Sequence, residues 1–257
     1  MKRISWLLGL WTALVMVFFY LPIAILIGFS FNTSRLNILW EGFTLDWYAA
    51  IWRDRVLVDA LNNSLIVAAI TTVLAVALGT GGAWLLYRYR FPGLRLWQTL
   101  IFIPMIVPEV IMGVSLLILY VVINLELGYA TIIISHVTFC FPFVMVAVQA
   151  RLSGLDPALE EAAMDLGATP AVAFRRILVP YLMPAIISGA LMSFTLSLDE
   201  LIVTYFTASA GTRTLPLEIF GRVKKGLDPT LNAISTVFIL STVVLVMTTE
   251  ILKRRTR

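Results

Sequence analysis

The feature that most constrains this chain is the length of its uncharged apolar segments. The first of them runs from residue 4 to residue 34 without a charged side chain, whereas a helix needs only about 20 apolar residues to cross a bilayer. Overall, 60% of the residues are hydrophobic and 13% are charged, and soluble domains carry roughly twice that charged fraction. The sequence therefore predicts a membrane protein. Because no small-residue cleavage site stands out, the first segment is expected to be a retained span.

Six segments are long and apolar enough to form transmembrane helices. They are residues 6–31, 61–86, 96–123, 127–150, 182–208 and 231–249. Glu109 interrupts the third, and Asp199 and Glu200 interrupt the fifth. The predicted fold class is all-α, a polytopic membrane protein of six transmembrane helices, and an even number of spans places both ends of the chain on one side.

The basic residues are distributed unevenly between the two sides of this arrangement. Of the 19 Lys and Arg residues, twelve lie in the N-terminus, in the segments 87–96 and 150–181, and in the tail 253–257. Positive charge favours the cytoplasmic side of a membrane. Both termini and the 150–181 loop are therefore predicted to be cytoplasmic.

The domain organisation follows from these spans. We expect a first helix and outer loop in residues 1–59, a core transmembrane domain in residues 60–252 and a basic tail in residues 253–257. Within the outer loop, aromatic and apolar residues recur at helical spacing and predict a short helix over residues 44–54. Aromatic anchoring at the membrane surface and docking of a partner both remain open as its role.

The loop of residues 151–184 is too polar for lipid and too regular for a linker. An Asp-Pro pair at 156–157 and a Thr-Pro pair at 169–170 are both typical helix starts. Gly167 lies where the first helix should end, because glycine accepts the left-handed conformation that terminates helices. The segment is predicted to form a helix, a tight turn and a second helix.

Acidic residues inside predicted spans are the main functional candidates. Charged side chains at membrane depth are costly and usually face a bundle interior or a water-filled pathway, which makes Asp199, Glu200 and Glu109 candidate pathway residues. Glu109 follows Pro104 and Pro108, and each proline opens a helix and leaves carbonyl oxygens free. Carboxylates beside free carbonyls suit a cation.

Aromatic residues flank the acidic pair. Phe194, Tyr205 and Phe206 lie close to it in the sequence, and aromatic faces attract ammonium groups. The helical spacing predicts one shared face for Asp199, Ile202, Val203 and Phe206. Adjacent residues on a helix lie about 100° apart, so one acid is expected to line the pathway while the other packs, with Asp199 as the first candidate for the pathway. The alternative, that the acids only fix helix packing through basic or backbone partners, remains open.

The polar loop carries a spaced pattern that resembles the EAA loop of ABC importer membrane subunits. The pattern consists of Glu161, Ala162, Ala163, Gly167, Ile177, Val179 and Pro180. Val179 stands where the family has leucine and keeps an apolar side chain. The resemblance implies a type I ABC importer permease fold with a cytoplasmic coupling helix that docks on a separate ATPase. It implies this coupling role for Glu161, Ala162, Ala163, Asp165 and Gly167.

Residues 60–250 also resemble the permease subunits of spermidine and putrescine importers, through the segments HVTFCFPFVMV, SFTLSLDE and TLPLEIFGRVKKGLDPTLNAIST. This resemblance implies a second permease subunit, an ATPase dimer that binds ATP and Mg, and a periplasmic polyamine-binding protein. It further implies a multi-pass protein of the bacterial inner membrane with no catalytic site or cofactor of its own. Polyamines are polycations, which fits the carboxylates.

Other classes of function agree less well with the residues. The glycine-rich segment 79–90 lacks the lysine of a phosphate-binding loop and follows a span. His136 is expected to be a hydrogen-bonded interior group rather than a metal ligand, and Cys140 a small core residue. The net charge of +4 is explained by topology, so no nucleic-acid binding is inferred. An importer of another cationic or small solute and an ion-coupled transporter remain alternatives.

Overall fold

A computed structural model describes residues 2–34, 39–156, 158–226 and 229–255. Within these ranges the regular structure is helical, apart from one isolated antiparallel bridge between Asn32 and Phe43. The all-α prediction is therefore confirmed.

The chain divides into two compact units. The first consists of Met1–Asp59 with Glu218–Leu245, and the second of Ala60–Leu217 with Val246–Arg257.

Twelve α-helices account for most of the described residues. The α-helices are α1 (Lys2–Phe29), α2 (Asp46–Arg53), α3 (Arg55–Arg88), α4 (Leu94–Phe102), α5 (Glu109–Val122), α6 (Tyr129–Leu152), α7 (Ala158–Asp165), α8 (Pro170–Ala173), α9 (Val179–Asp199), α10 (Ile202–Thr207), α11 (Leu215–Lys225) and α12 (Pro229–Arg255). A 3₁₀ turn at Ile103–Met105 separates α4 from α5, and a π-helical turn at Phe174–Leu178 joins α8 to α9.

Most of the predicted spans correspond to long apolar helices. Among the described residues, four such helices are long enough to cross a membrane: Leu8–Phe29, Arg55–Arg88, Tyr129–Leu152 and Pro170–Asp199. The segments Leu94–Met105 and Glu109–Val122 form a further candidate that is bent by 104°. A shorter apolar stretch, Pro229–Val244, lies in α12. The count of six crossings stays a prediction.

The prolines of the third predicted span break it as expected. Pro104 lies in the 3₁₀ turn, and Pro108 has extended backbone angles, φ −55° and ψ 133°, directly before α5. A proline disfavours the helical conformation in the residue before it and donates no backbone hydrogen bond. As a result Glu109 becomes the first residue of α5.

The prediction of one continuous helix through residues 182–208 is wrong. Helix α9 ends at Asp199, Glu200 has extended backbone angles of φ −66° and ψ 116°, and α10 begins at Ile202. Asp199 therefore does not continue the helical face of Val203 and Phe206. A side-chain contact stabilises the break, because the Glu200 Oε1 accepts a hydrogen bond from the Val203 N–H at 2.9 Å and so satisfies a free donor in the first turn of α10.

The core of the second unit is built around α6, and close approach there depends on glycine. A Cβ at Gly79 of α3 would lie 2.8 Å from the Val144 Cβ and 2.9 Å from the Phe141 carbonyl oxygen. A Cβ at Gly189 of α9 would lie 3.0 Å from the Val144 Cγ1. Small residues allow membrane helices to pack closely. Cys140 is fully buried in the same core, as predicted.

Gly79→Ala is expected to destabilise the second unit. The added methyl group would meet α6 backbone atoms as close as 2.9 Å, and such overpacking costs about 1–3 kcal/mol. This cost should exceed the gain in helix propensity, which is at most about 1 kcal/mol. The thermal unfolding midpoint of the purified protein in detergent is the measurement.

Gly81→Ala is the matched control two residues away. A Cβ at Gly81 meets no atom within 4 Å, so this variant should unfold at the wild-type temperature or slightly above it. Equal midpoints for the Gly79 and Gly81 variants would contradict the packing role of Gly79.

The predicted short helix over residues 44–54 is present as α2 in the first unit. The Trp47 Nε1 donates a hydrogen bond to the Asn32 carbonyl oxygen at 2.7 Å, and the Tyr48 hydroxyl lies 2.7 Å from the Ser30 Oγ. These bonds hold α2 against the end of α1 and the residues that follow it. Trp52 is 71% exposed, so this side chain is available for either of the two roles left open for the helix.

A charged network in the first unit joins the start of α3 to α11. The Arg222 Nη1 lies 2.7 Å from the Asp54 Oδ2, and the Arg222 Nε lies 2.9 Å from the Glu218 Oε1. The hydrogen bond from Arg222 lowers the pKa of the Asp54 carboxyl. Because a lowered carboxyl pKa stabilises the folded state above the ordinary pKa, this contribution is present at neutral pH and is lost in acid.

Candidate functional site

The three predicted carboxylates all lie at breaks in helices. Glu109 begins α5, Asp199 ends α9, and Glu200 lies in the break before α10. Helix α5 packs directly on α10, since a Cβ at Gly113 would lie 2.7 Å from the Phe206 Cδ2. The helix that begins with Glu109 is therefore packed against the helix that follows Glu200.

The two adjacent acids occupy different environments. Asp199 is exposed, whereas Glu200 is only 7% exposed. One oxygen of the Glu200 carboxylate is committed to the Val203 N–H. Glu200 thus has the backbone contact that a packing role requires, and Asp199 presents its side chain at the surface of the described chain.

The three predicted aromatic residues are not equivalent. Tyr205 is 55% exposed, and Phe206 is partly buried over Gly113, with a distance of 5.3 Å between the Tyr205 and Phe206 ring centroids. Phe194 is partly buried on α9. It precedes Asp199 by five residues, which corresponds to about 140° around a helix. Phe194 therefore lies on another face of α9 than Asp199.

A buried histidine contacts both sides of the break between α9 and α10. The His136 Nδ1 lies 2.8 Å from the Ser197 Oγ, and its Nε2 lies 2.8 Å from the Thr204 Oγ1. The prediction of a hydrogen-bonded interior histidine is therefore confirmed. Sequence reasoning missed Ser197 and Thr204, because single hydroxyl residues on separate helices have no spacing that reveals a shared partner.

The polar loop has the predicted helix, turn and helix. The Asp156 Oδ1 accepts a hydrogen bond from the Ala158 N–H at 3.0 Å and caps α7, while Pro157 lies outside the described residues. Gly167 has a left-handed φ of 87°. Its N–H donates to the Met164 carbonyl, and the Ala168 N–H donates to the Ala163 carbonyl. This pair of bonds is the Schellman motif that ends many helices.

The second helix of the loop is shorter than a regular amphipathic helix and leads directly into α9. The Thr169 Oγ1 accepts a hydrogen bond from the Val172 N–H, so the predicted cap is confirmed. Helix α8 then continues through the π-helical turn. Pro180, at the start of α9, has no N–H to donate to the carbonyl four residues earlier, which favours a local departure from α-helical geometry.

The residues of the predicted coupling set occupy α7 and the turn that follows. Ala162 and Asp165 are exposed, and Ala163 is buried. The backbone of Glu161 lies in α7, whereas its side chain lies outside the described part of the chain. Leu166, at the tip of the turn, is 89% exposed. The turn thus presents an apolar side chain as well as polar ones.

Comparison with known families places this architecture in a defined class. The family of binding-protein-dependent transport system inner membrane components matches residues 75–257. The chain belongs to this family, and it is therefore a multi-pass transport subunit of the inner membrane.

Curated relatives are similar over nearly the whole chain. The chain is 39% identical over 246 residues to the spermidine/putrescine transport system permease protein PotC of Escherichia coli (strain K12), covering 96% of this chain and 93% of that protein. It is 42% identical over 229 residues to the putrescine transport system permease protein PotI of the same strain, covering 86% and 82%.

A solved structure shares the fold at low sequence identity. A bacterial ABC transporter involved in the import of the acidic polysaccharide alginate superimposes with a TM-score of 0.74 at 13% identity, covering 98% of this chain and 96% of that one. The chain therefore has the fold of an ABC importer permease, with the helix breaks described above.

Proposed function

We propose that this chain is a permease subunit of an ATP-driven polyamine importer and forms half of the translocation pathway for spermidine, putrescine or both. The proposal is supported mainly by the position of Asp199, Glu200 and Glu109 at breaks in apolar helices, with α5 packed on α10. Three carboxylates repel one another in apolar surroundings. A polycation relieves this repulsion as it passes.

The side chains around the acids support a cationic cargo. Tyr205 is exposed beside the break, and aromatic faces attract ammonium groups. The relatives PotC and PotI are permeases for spermidine/putrescine and for putrescine, which agrees with this chemistry. The alginate importer moves an acidic polysaccharide with a similar fold, so the cargo is selected by local side chains and by the partner that delivers it, rather than by the fold.

The same proposal assigns the partners. Helix α7 and the Gly167 turn dock on an ATPase dimer, which binds ATP and Mg, through Ala162, Ala163, Asp165 and Glu161. A second permease subunit completes the pathway, and a periplasmic polyamine-binding protein delivers the cargo. This assignment places the loop and both termini in the cytoplasm, as the distribution of Lys and Arg supports.

In this mechanism the chain provides a path and a hinge and carries out no chemistry. Docking of the loaded binding protein and closure of the ATPase pair move the coupling loop. Because α8, the π-helical turn and α9 are continuous, movement of the loop is transmitted along α9 to Asp199 at its far end. The acids are then exposed to opposite sides of the membrane in turn.

The test is uptake of radiolabelled spermidine and putrescine by a bacterial strain that lacks its own polyamine uptake systems. The strain expresses this chain together with its neighbouring subunits, and a chain-deleted version of the same operon is the control. We expect uptake that depends on this chain and disappears when cellular ATP is depleted.

The outcomes separate the proposal from its alternatives. An assembled complex that takes up neither polyamine, but takes up another cation or small solute, would replace the substrate and keep the importer. Uptake that persists without ATP or the ATPase and collapses with the ion gradient would identify an ion-coupled transporter instead.

A further inference from the structure

We propose that His136 is a positioning residue that holds the break between α9 and α10 and thereby sets the place of the Asp199 and Glu200 carboxylates. This inference rests on the function proposed above and assigns a role to a residue outside the acidic site. One imidazole contacts Ser197, two residues before Asp199, and Thr204, four residues after Glu200. His136 is the only histidine in the chain.

The directions of the hydrogen bonds follow from the Thr204 hydroxyl. This hydroxyl donates to the Glu200 carbonyl oxygen at 3.0 Å, so its single proton is already used. The His136 Nε2 must then carry a proton and donate to the Thr204 Oγ1. The Nδ1 is left as an acceptor for the Ser197 hydroxyl. A neutral ring with one donor and one acceptor therefore fits both partners.

Through Thr204, the His136 contact extends to the backbone of the break. Glu200 is the residue with extended backbone, and its carbonyl oxygen is held by Thr204, which is held by His136. Peptide groups freed by a broken helix must find other partners at membrane depth, because water is absent there. The Thr204 hydroxyl provides such a partner for the Glu200 carbonyl, and His136 holds that hydroxyl in a buried setting, since His136 is 1%, Ser197 3% and Thr204 0% exposed.

Two further contacts from α6 hold the neighbouring elements of the site. The Thr131 Oγ1 donates to the Thr207 carbonyl oxygen, at the last residue of α10, over 2.7 Å. The Ser135 Oγ lies 2.8 Å from the hydroxyl of Tyr120 on α5, the helix that begins with Glu109. One polar stripe on α6 therefore contacts each of the helices that carry the three carboxylates.

The geometry separates this role from direct contact with the cargo. The His136 ring is buried, and both of its nitrogens are occupied by hydroxyl groups. A buried imidazole with both nitrogens hydrogen-bonded can affect a passing cation only through the carboxylates that it positions. Loss of the ring should therefore change transport by displacing Asp199 and Glu200.

The experiment is a double-mutant cycle in the assembled transporter, with transport normalised to the amount of complex. His136→Leu, Asp199→Asn and the double variant are compared by the concentration of spermidine that gives half-maximal uptake. Loss of a buried hydrogen-bond partner is expected to raise this concentration about tenfold for His136→Leu. If His136 acts through Asp199, the double variant should be little worse than Asp199→Asn alone.

Conservative and neighbouring variants complete the design. His136→Gln can keep one of the two hydrogen bonds and should fall between wild type and His136→Leu. Thr138→Val is the control on the same helix, because the Thr138 hydroxyl bonds only within α6, to the Ile134 carbonyl, and it should transport like wild type. If His136→Leu does not assemble, Thr204→Val and Ser197→Ala take its place in the cycle.

The inference and the proposed function fail in different ways. Additive effects of the two substitutions, or a lower thermal stability with unchanged transport per complex, would overturn the positioning role while leaving polyamine import intact. Absence of polyamine uptake by the wild-type complex would overturn the proposed function. In that case the double-mutant cycle is measured by the ATP hydrolysis that the cognate binding protein stimulates. Non-additive effects of the two substitutions are again expected, and additive effects would overturn the positioning role of His136.

Discussion

Asp199→Asn is expected to reduce spermidine uptake at least about tenfold while the amount of assembled complex stays the same. The substitution keeps the size of the side chain and removes its charge. Asp199 is exposed at the end of α9, so its charge should contribute more to attraction of a polycation than to packing. The measurement is the initial rate of labelled spermidine uptake, divided by the amount of complex in the membrane.

Substitution of the neighbouring acid, Glu200, should instead affect stability and assembly. Glu200→Ala removes the acceptor of the Val203 N–H, and loss of a helix cap costs about 0.5–2 kcal/mol. We expect a lower thermal unfolding midpoint and less assembled complex. Glu200→Gln keeps an oxygen that can accept the same bond and is the matched control for stability. If Asp199→Asn prevented assembly while Glu200→Ala left it unchanged, the division of roles between the two acids would be wrong.

Gly167→Pro is the second substitution with a large expected effect, here on coupling. Proline cannot adopt the φ of 87° found at Gly167, and it removes the N–H that donates to the Met164 carbonyl. The turn between α7 and α8 should therefore open. We expect uptake to be lost although the protein remains in the membrane, because ATP hydrolysis no longer moves the pathway. Uptake and ATP hydrolysis of the reconstituted complex are measured together.

The same position provides its own control. Asparagine tolerates the left-handed conformation better than other side chains, so Gly167→Asn should keep most of the uptake. Glu161→Lys, one turn and a half earlier in α7, should uncouple like Gly167→Pro because it reverses a charge on the docking helix. Normal uptake by both Gly167→Pro and Glu161→Lys would refute the coupling assignment. It would also remove the main reason for placing this loop beside a cytoplasmic ATPase.

Local sequence signals were sufficient to predict the structure where a segment determines its own conformation. The caps at Asp156 and Thr169 and the left-handed glycine at Gly167 were predicted correctly, because each is set by a side chain and the backbone within three residues of it. The opening of the third span at Pro104 and Pro108 was predicted for the same reason. In each case the residue type itself forbids or favours the observed dihedral angles.

The break after Asp199 could not be predicted in this way. The segment 194–206 contains no proline or glycine, and its apolar pattern is compatible with an uninterrupted helix. Besides the local bond between Glu200 and Val203, the break is contacted on both sides by His136, which lies far away in the sequence. The stabilisation from the His136 contact exists only when α6, α9 and α10 are packed together. The apolar periodicity of a single segment therefore does not indicate it.

The sequence by itself determined that this chain is an all-helical membrane protein and where most of its apolar helices lie, and it predicts a functional site at the carboxylates within them. These properties follow from the cost of transferring charges and free peptide groups into lipid, which applies to each segment separately. Only the tertiary structure decided that Glu200 caps a short helix while Asp199 stays exposed, and that Gly79 is needed for contact with α6. The physical reason is that these roles arise from contacts between helices, and such contacts exist only after the helices have packed.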